Sequence, residues 1–418
     1  MNNELELYIH IPFCVKKCNY CDFLSAPADD ETKEAYVNAL INEIRMAGIT
    51  YGDRKITTIF IGGGTPSILT PDQITRIAAA LKETFDLEGL KGKPKTFFRK
   101  KAVPPTIEFT VECNPETLDS AKLKALKKAG VNRLSLGLQS ADSREPKELG
   151  RIHTVNDFLD TFDAARMAGF DNINVDLMQA IPYQTLPSWR KTLMAIAALR
   201  PEHISAYSLQ LEEGTSFHTR AEKGEDLNLP DEDTEREIYY ATKEVLAQFG
   251  YTRYEISNYA LPGKECRHNC GYWSRKNYLG LGLGSSSMVD NVRWKNTDGL
   301  ETYIKLMNEG KPLDALRCEV ENVSYKEQME EYMFLGLRMM KGIVKEEFFE
   351  TFKADFDFIY GNVTRELLDQ GLLVETEEEY EDPLTSFPVT RTRISLTDKG
   401  IDVSNRVLAQ FLQEDEHE

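Results

Sequence analysis

Nowhere in the 418-residue chain do the roughly 18 uncharged apolar residues of a membrane-spanning helix run together, so no segment is expected to cross a bilayer. The first residues, Met1-Asn2-Asn3-Glu4-Leu5-Glu6, lack the basic flank and apolar core of a secretory signal. A cytoplasmic protein is therefore expected. Positive charge is also in deficit: 50 Lys and Arg face 68 Asp and Glu, a net charge of −18. Phosphate backbones repel such a chain, which makes nucleic acid an unattractive partner. Cysteine is odd in number, at seven, and without an export signal it is not expected in disulfides. Clustered cysteines then read as metal ligands or reactive thiols.

With 41% hydrophobic and 28% charged residues, the chain has the balance of a globular protein able to bury a large core. At roughly 150 residues per domain its length suggests two or three domains. Across the first half, apolar runs at 5–13, 56–61, 106–113, 131–139, 173–178 and 203–211 read as strands. Helical spacing lies between them, as in Tyr36, Val37, Leu40, Ile41 and Ile44, or Trp189, Leu193 and Ile196. Gly48, Gly130, Gly169 and Gly250 read as left-handed helix ends, each followed by a strand. Six such units predict a parallel sheet closed into a barrel or partial barrel.

Residues 89–105 interrupt this pattern with Lys91, Lys93, Lys95, Arg99, Lys100 and Lys101 and no acid. An inserted surface loop is the expectation, and a docking site for an acidic surface the sharper alternative. Further on, Pro230-Asp231-Glu232-Asp233 opens a helix toward Phe249, and 251–256 reads as a strand. Leu279-Gly280-Leu281-Gly282-Leu283-Gly284 follows; with no Lys-Ser/Thr after it, this is not a Walker loop. It either lets backbone approach a bound group or turns the chain. Beyond about residue 320, helices, a strand at 387–396 and a last helix suggest a winged-helix-like domain. The acidic stretch at 375–381 stands where a DNA-binding wing would be basic, so a packing or interaction role is expected. The division expected is 1–220 for the barrel, 221–300 for an extension and 301–418 for the C-terminal domain.

Three cysteines fall together in Cys14-Val15-Lys16-Lys17-Cys18-Asn19-Tyr20-Cys21, directly after the first strand. Three thiolates on a tight loop can hold three irons of a [4Fe–4S] cluster and leave the fourth iron to an exogenous chelator. A structural zinc would need a fourth ligand, for which His10 is nearest, and chance clustering of buried cysteines is the bland alternative. Polar residues close the other strands: Gly62-Gly63-Gly64-Thr65-Pro66, then Glu112, Gln139, Asp176 and Gln210. In a parallel barrel the C-terminal strand ends form the functional rim, so these residues are expected to converge on the cysteines.

The C-x3-C-x2-C spacing after a first strand resembles the radical S-adenosylmethionine (SAM) superfamily. The resemblance implies an α/β partial (β/α)6 barrel, with a [4Fe–4S] cluster on Cys14, Cys18 and Cys21 whose open iron takes SAM. One electron from the cluster would cleave the sulfonium and release a 5′-deoxyadenosyl radical, chemistry carried by the cofactor. Tyr8-Ile9-His10-Ile11-Pro12-Phe13-Cys14 and the spacing of Glu112, Gln139, Arg151 and Asp176 are similar to the oxygen-independent coproporphyrinogen III oxidase family over nearly the whole chain. By that resemblance Tyr8, Gly63 and Glu112 contact one SAM. Tyr20, Gly64, Thr65, Gln139, Arg151 and Asp176 match positions that contact a second SAM in the oxidases.

Two departures separate the chain from those oxidases. Phe23 stands where they have a further cysteine, and 13 residues precede Cys14 where they carry a longer segment needed for activity. Both features resemble the sister group of heme chaperones. So does His268-Asn269-Cys270-Gly271-Tyr272-Trp273, which fits the H-N-x-x-Y-W motif implicated there in heme binding. His268 can offer a nitrogen to heme iron, and Tyr272 and Trp273 flat area to a porphyrin. Arg267, Arg275 and Lys276 are candidate donors to the propionates. Cys266 and Cys270 do not form the C-x-x-C-H attachment pattern and read as ordinary buried thiols. His10, His153, His203 and His218 read as structural or solvated.

The resemblance thus implies a chaperone that holds a cluster and SAM, binds heme and hands it to an acceptor apoprotein. It would draw on an electron donor and touch a membrane at most peripherally, through its acceptor. No catalytic residue is assigned. Oxidative decarboxylation of coproporphyrinogen III is the alternative, and radical chemistry on an RNA a third reading that the acidic balance disfavours.

Overall fold

The computed structural model describes residues 3–90, 105–381 and 388–413; the six cations of the basic stretch lie outside the described residues. The chain divides into two units. One comprises Met1–Thr252, Ser257–His268 and Asn277–Glu321, the other Arg253–Ile256, Asn269–Lys276 and Asn322–Glu418.

The first unit is built on six strands: β1 (Glu4–Ile11), β2 (Lys55–Gly63), β3 (Glu108–Cys113), β4 (Arg133–Gln139), β5 (Ile173–Gln179) and β6 (His203–Ser208). They pair in chain order, all parallel, as the strand–helix repetition predicts. The intervening helices start where the sequence offers a cap. Asp29, Thr70, Asp119, Thr154 and Thr185 each accept a hydrogen bond from a first-turn N–H.

Alternation sorts the two faces of the sheet. Leu5, Leu7, Ile9 and Ile11 of β1 are fully buried in the apolar core with residues of the helices, while Glu6, Tyr8 and His10 take the other face. That other face is polar and buried low in the strands, where it carries Glu6, Thr58, Glu108, Arg133, Asn174 and His203. Such a lining is held by mutual bonds: His203 Nδ1 lies 2.6 Å from Asn174 Oδ1, and Asn174 Nδ2 donates to Ser135 Oγ at 2.6 Å.

Several expectations need correction. Gly130, Gly169 and Gly250 do adopt left-handed φ of +107°, +86° and +88°. Gly48, however, lies inside the helix Asp30–Tyr51, where a Cβ would stand 2.4 Å from Thr84 Cγ2. Close helix approach, not a turn, requires that glycine. Of residues 251–256 only Thr252–Arg253 is strand; Asn258–Ala260 instead pairs antiparallel with β6.

The glycine-rich segment turns out to be sheet. Tyr278–Leu281 pairs parallel with β1 on its outer side, and Ser286–Val289, Val292–Asn296 and Arg317–Asn322 extend the order further. Gly282, at φ +102°, would place a Cβ 2.5 Å from Tyr36 Oη and 2.7 Å from the His10 carbonyl. Its close approach is therefore to the protein's own helix and strand. Glu43 fixes this segment, accepting from Gly282 N–H (2.7 Å), Asn296 Nδ2 (2.7 Å) and Tyr303 Oη (2.5 Å).

The second unit carries helices Tyr325–Gly336, Lys345–Phe352 and Phe356–Asp369 around a small antiparallel sheet. Pro388–Leu396 pairs on one side with Leu373–Glu381 and on the other with Ile343–Val344, the winged-helix order that the sequence suggests. Phe348, Phe352, Phe356 and Tyr360 pack as edge-on and tilted rings in its core. The acidic strand is answered from its neighbour, where Arg393 Nε donates to Glu378 at 3.1 Å. Among the described residues no helix is long and apolar enough to cross a membrane.

Candidate functional site

The C-terminal ends of β1–β6 wall a cavity of about 380 Å³. All three clustered cysteines line it, and all are free thiols. Their loop is held at several points: Cys14 N–H donates to the Ala26 carbonyl at 3.2 Å and Cys21 N–H to the Cys18 carbonyl at 3.3 Å. Thr65 Oγ1 donates to Cys14 Sγ at 3.6 Å. Gly64 must be glycine for this contact, since a Cβ there would stand 2.6 Å from the Phe13 carbonyl and 2.9 Å from Cys14 Sγ.

The donor set fits a polynuclear cluster better than a lone ion. His10 has both ring nitrogens engaged, Nδ1 with Tyr8 Oη at 3.0 Å and Nε2 with the Leu24 carbonyl at 2.8 Å. It is therefore not a fourth zinc ligand. Among the described residues no three cysteine, histidine or carboxylate side chains converge on one point. Three free thiols from one loop, all lining one cavity, suit separate irons of a [4Fe–4S] cluster.

The remaining rim residues gather as expected, with two differences. Tyr20, Gly63, Gly64, Thr65, Glu112, Gln139, Arg151 and Asp176 all line the cavity. Tyr8 does not; it lies below the rim, with its hydroxyl on His10. Gln210 lines the cavity from beyond the end of β6 rather than from within it. Glu112 Oε2 accepts from Gly63 N–H at 3.1 Å, and burial, reinforced by Asp176, pushes its carboxyl up to about 8. Asp176 accepts from Ser135 Oγ at 3.0 Å and Asn174 Nδ2 at 2.8 Å. Gln139 ends β4 at φ +70°, next to a register shift, which aims its amide at Tyr207 Oη, 3.5 Å away.

Sequence reasoning missed Asn114, Ser135, Gly137, Met178 and Tyr207, all of which line the cavity. Four of them were accessible through period two. Ser135 and Gly137 alternate with Gln139 on β4; Met178 follows Asp176 on β5, and Tyr207 follows His203 and Ser205 on β6.

Of the H-N-x-x-Y-W segment, His268 is placed apart from the cysteines. His268 belongs to the first unit and lies among the N-terminal halves of the strands, 1% exposed. Its N–H donates to Glu108 Oε1 at 3.2 Å, and its Nδ1 lies 2.6 Å from Thr58 Oγ1 and 3.7 Å from Glu6 Oε2. The ring stacks on Phe60 with centroids 5.1 Å apart. Burial, then Arg133, drives its pKa down to about 3, so the ring is neutral. At 1% exposure the ring is closed to a heme as placed, whether or not Nδ1 keeps its bond to Thr58. Arg267 donates to the Thr106 carbonyl at 2.7 Å, and Cys266 is buried against Glu108.

Tyr272 and Trp273 belong to the second unit. There Trp273 lines a cavity of about 820 Å³ with Tyr332, Met339 and Tyr380, and among the described residues its buried Nε1 has no hydrogen-bond partner. Arg275 donates to Glu331 at 2.7 Å. His153 and His218 face Glu116 and Glu222, the structural roles expected of them.

Comparison with known proteins agrees with this geometry. Residues 8–196 match the Radical SAM superfamily, and residues 323–380 match the HemN C-terminal domain. Heme chaperone HemW of Lactococcus lactis subsp. lactis (strain IL1403) is 38% identical over 408 residues, covering 98% of this chain and 97% of that protein. Heme chaperone HemW of Bacillus subtilis (strain 168) is 36% identical over 408 residues, covering 97% of this chain and 99% of that protein. Among solved structures, coproporphyrinogen III oxidase (HemN) from Escherichia coli, a radical SAM enzyme, superposes with a TM-score of 0.78. At 23% identity, over 98% of this chain and 90% of that one, the likeness speaks for the fold.

Proposed function

The chain belongs to the HemW family of the radical SAM superfamily, and from that premise we propose that it is a heme chaperone. In this reading it holds a [4Fe–4S] cluster and SAM, binds heme, and passes that heme to an acceptor apoprotein. The observation that carries the reading is the cavity at the strand ends, where three free thiols form one wall and Gly63, Glu112, Gln139 and Asp176 the others. Cys14, Cys18 and Cys21 would hold the cluster. When bound, the cluster and SAM would supply one-electron cleavage of a sulfonium. The chain's part is to shape that cavity: Gly64 admits Cys14, Glu112 stays largely protonated at neutral pH, and Gly63 N–H is held on Glu112. Phe23, in place of the oxidases' further cysteine, favours the chaperone over coproporphyrinogen III dehydrogenation.

Heme is assigned to the segment that opens at His268, whose buried ring must become accessible. Hemin titration followed by the Soret band tests this. His268→Ala should weaken binding at least tenfold, and Thr58→Val, which removes the bond to Nδ1 and leaves Nε2 in place, should not. Equal hemin affinity in His268→Ala and the parent removes His268 as the ligand. Protoporphyrinogen formed from coproporphyrinogen III by the reconstituted protein would replace the chaperone reading with the dehydrogenase.

A further inference from the structure

We propose that Arg151 is the counter-charge of the cluster held by Cys14, Cys18 and Cys21 and sets its reduction potential through Cys18. The inference rests on the cluster reading above. Arg151 Nη1 donates to Cys18 Sγ at 3.8 Å, and Nη2 donates to Asn114 Oδ1 and the Gly137 carbonyl, both at 2.9 Å. Among the described residues none of these partners is a carboxylate, and Nε is shut from solvent without a partner. A half-buried guanidinium lacking an anion is left with part of its desolvation uncompensated. Cluster thiolates would supply the missing negative charge.

Three segments are shaped around this cation. A Cβ on Gly137 would stand 2.6 Å from Nη2, so only glycine leaves the guanidinium its place. Gly150, at φ +79°, turns the chain just before Arg151, whose N–H is tied to the Pro146 carbonyl at 3.0 Å. Asn19, between Cys18 and Tyr20, stitches the cysteine loop to the arginine loop. Its N–H donates to the Leu149 carbonyl at 3.0 Å and its Nδ2 to the Glu148 carbonyl at 2.8 Å. The distance from Arg151 to Cys18 is thereby fixed from both sides.

Reduction adds one electron, from an external one-electron donor, to a core that passes from 2+ to 1+. With three thiolate ligands the assembly goes from one net negative charge to two; no bond forms or breaks and no proton moves. A fixed cation against one thiolate favours the more negative state, and hydrogen bonds to cluster ligands raise the potential. Arg151 thus acts as a positioning residue on the cluster, with three of its five N–H donors on Cys18, Asn114 and Gly137.

The test is an EPR-monitored redox titration of the full chain, reconstituted without oxygen and without SAM. In Arg151→Met the reduced-to-oxidised ratio at a fixed potential should fall about tenfold, equivalent to about 59 mV for one electron. Arg151→Lys keeps the charge and should fall between Met and the parent. Thr65→Val, which removes a neutral hydrogen bond to Cys14, should shift the titration less than Arg151→Met. A Met variant that titrates with the parent overturns the proposal. So does loss of iron from both Arg151 variants with circular dichroism unchanged, which would make Arg151 only a tie for the loop. A parent chain that takes up no iron and sulfide instead defeats the cluster reading itself.

Discussion

Two side-chain positions show how narrowly this molecule is set. Gly64→Ala adds one methyl group against Cys14 Sγ and the Phe13 carbonyl, both under 3 Å from it. The cysteine loop must shift, and iron bound per chain after anaerobic reconstitution should drop severalfold with little change in thermal midpoint. Glu43 is the second position. It is buried with three donors around it, yet burial pushes its carboxyl up to about 7 from an ordinary 4.5. The native state therefore keeps a proton that the unfolded chain loses between those two values. Stability linked to this group falls as pH rises from about 4.5 to about 7, by up to about 1.4 kcal/mol per unit, and is level above that. Denaturant unfolding at pH 5 and pH 8 should show this fall in the parent, and Glu43→Gln should flatten it. An equal pH response in both proteins would contradict the assignment.

Among whole elements, the pair of helices Asp30–Tyr51 and Pro71–Thr84 makes a counterintuitive case. Glycine inside a helix ordinarily costs about 1 kcal/mol relative to alanine. At Gly48 the sign reverses, because a Cβ meets Thr84 Cγ2 at 2.4 Å. Gly48→Ala should destabilise by about 1–3 kcal/mol as the helices are forced apart. In a Thr84→Ala background the same change should stabilise, a coupling that a double-mutant cycle reads directly. The barrel strands themselves were legible to within a few residues, since their core-facing positions alternate regularly, as in Ile173, Val175 and Leu177. Gly48 and the strand Tyr278–Leu281 were not, because what constrains them is a partner far away in the chain. Gly282 meets Tyr36 and His10, contacts that no local window contains. Of the site, the cysteine motif and the residues closing β2–β4 stood out by type and position. Asn114 did not, since it sits on a loop with no period to place it, and Gly137 and Tyr207 stand out only once strand alternation is followed from Gln139 and Ser205.

Across the whole chain, the first unit's sheet carries chemistry of two kinds along one face. Thiols, glycines and carboxylates gather where the strands end, and Glu6, Glu108, Arg133 and His268 are buried where they begin. A sequence window reports residue types without this vertical order, which is why His268 was read beside a ligand rather than inside the strands. The extension of the sheet beyond β1 has its own consequence. Tyr278–Leu281 covers the hydrogen-bonding groups of β1 from Glu6 to Ile9, and the outlying strand Arg317–Asn322 ends the series with charged, solvated side chains. A protein terminated after residue 276 would present β1 bare to solvent, whereas one terminated after residue 321 would keep its cover. Light scattering at matched concentration should find the shorter fragment assembling into large particles and the longer one monodisperse. The glycine-rich run is then a guard against self-association of the very strand that leads to the cysteines.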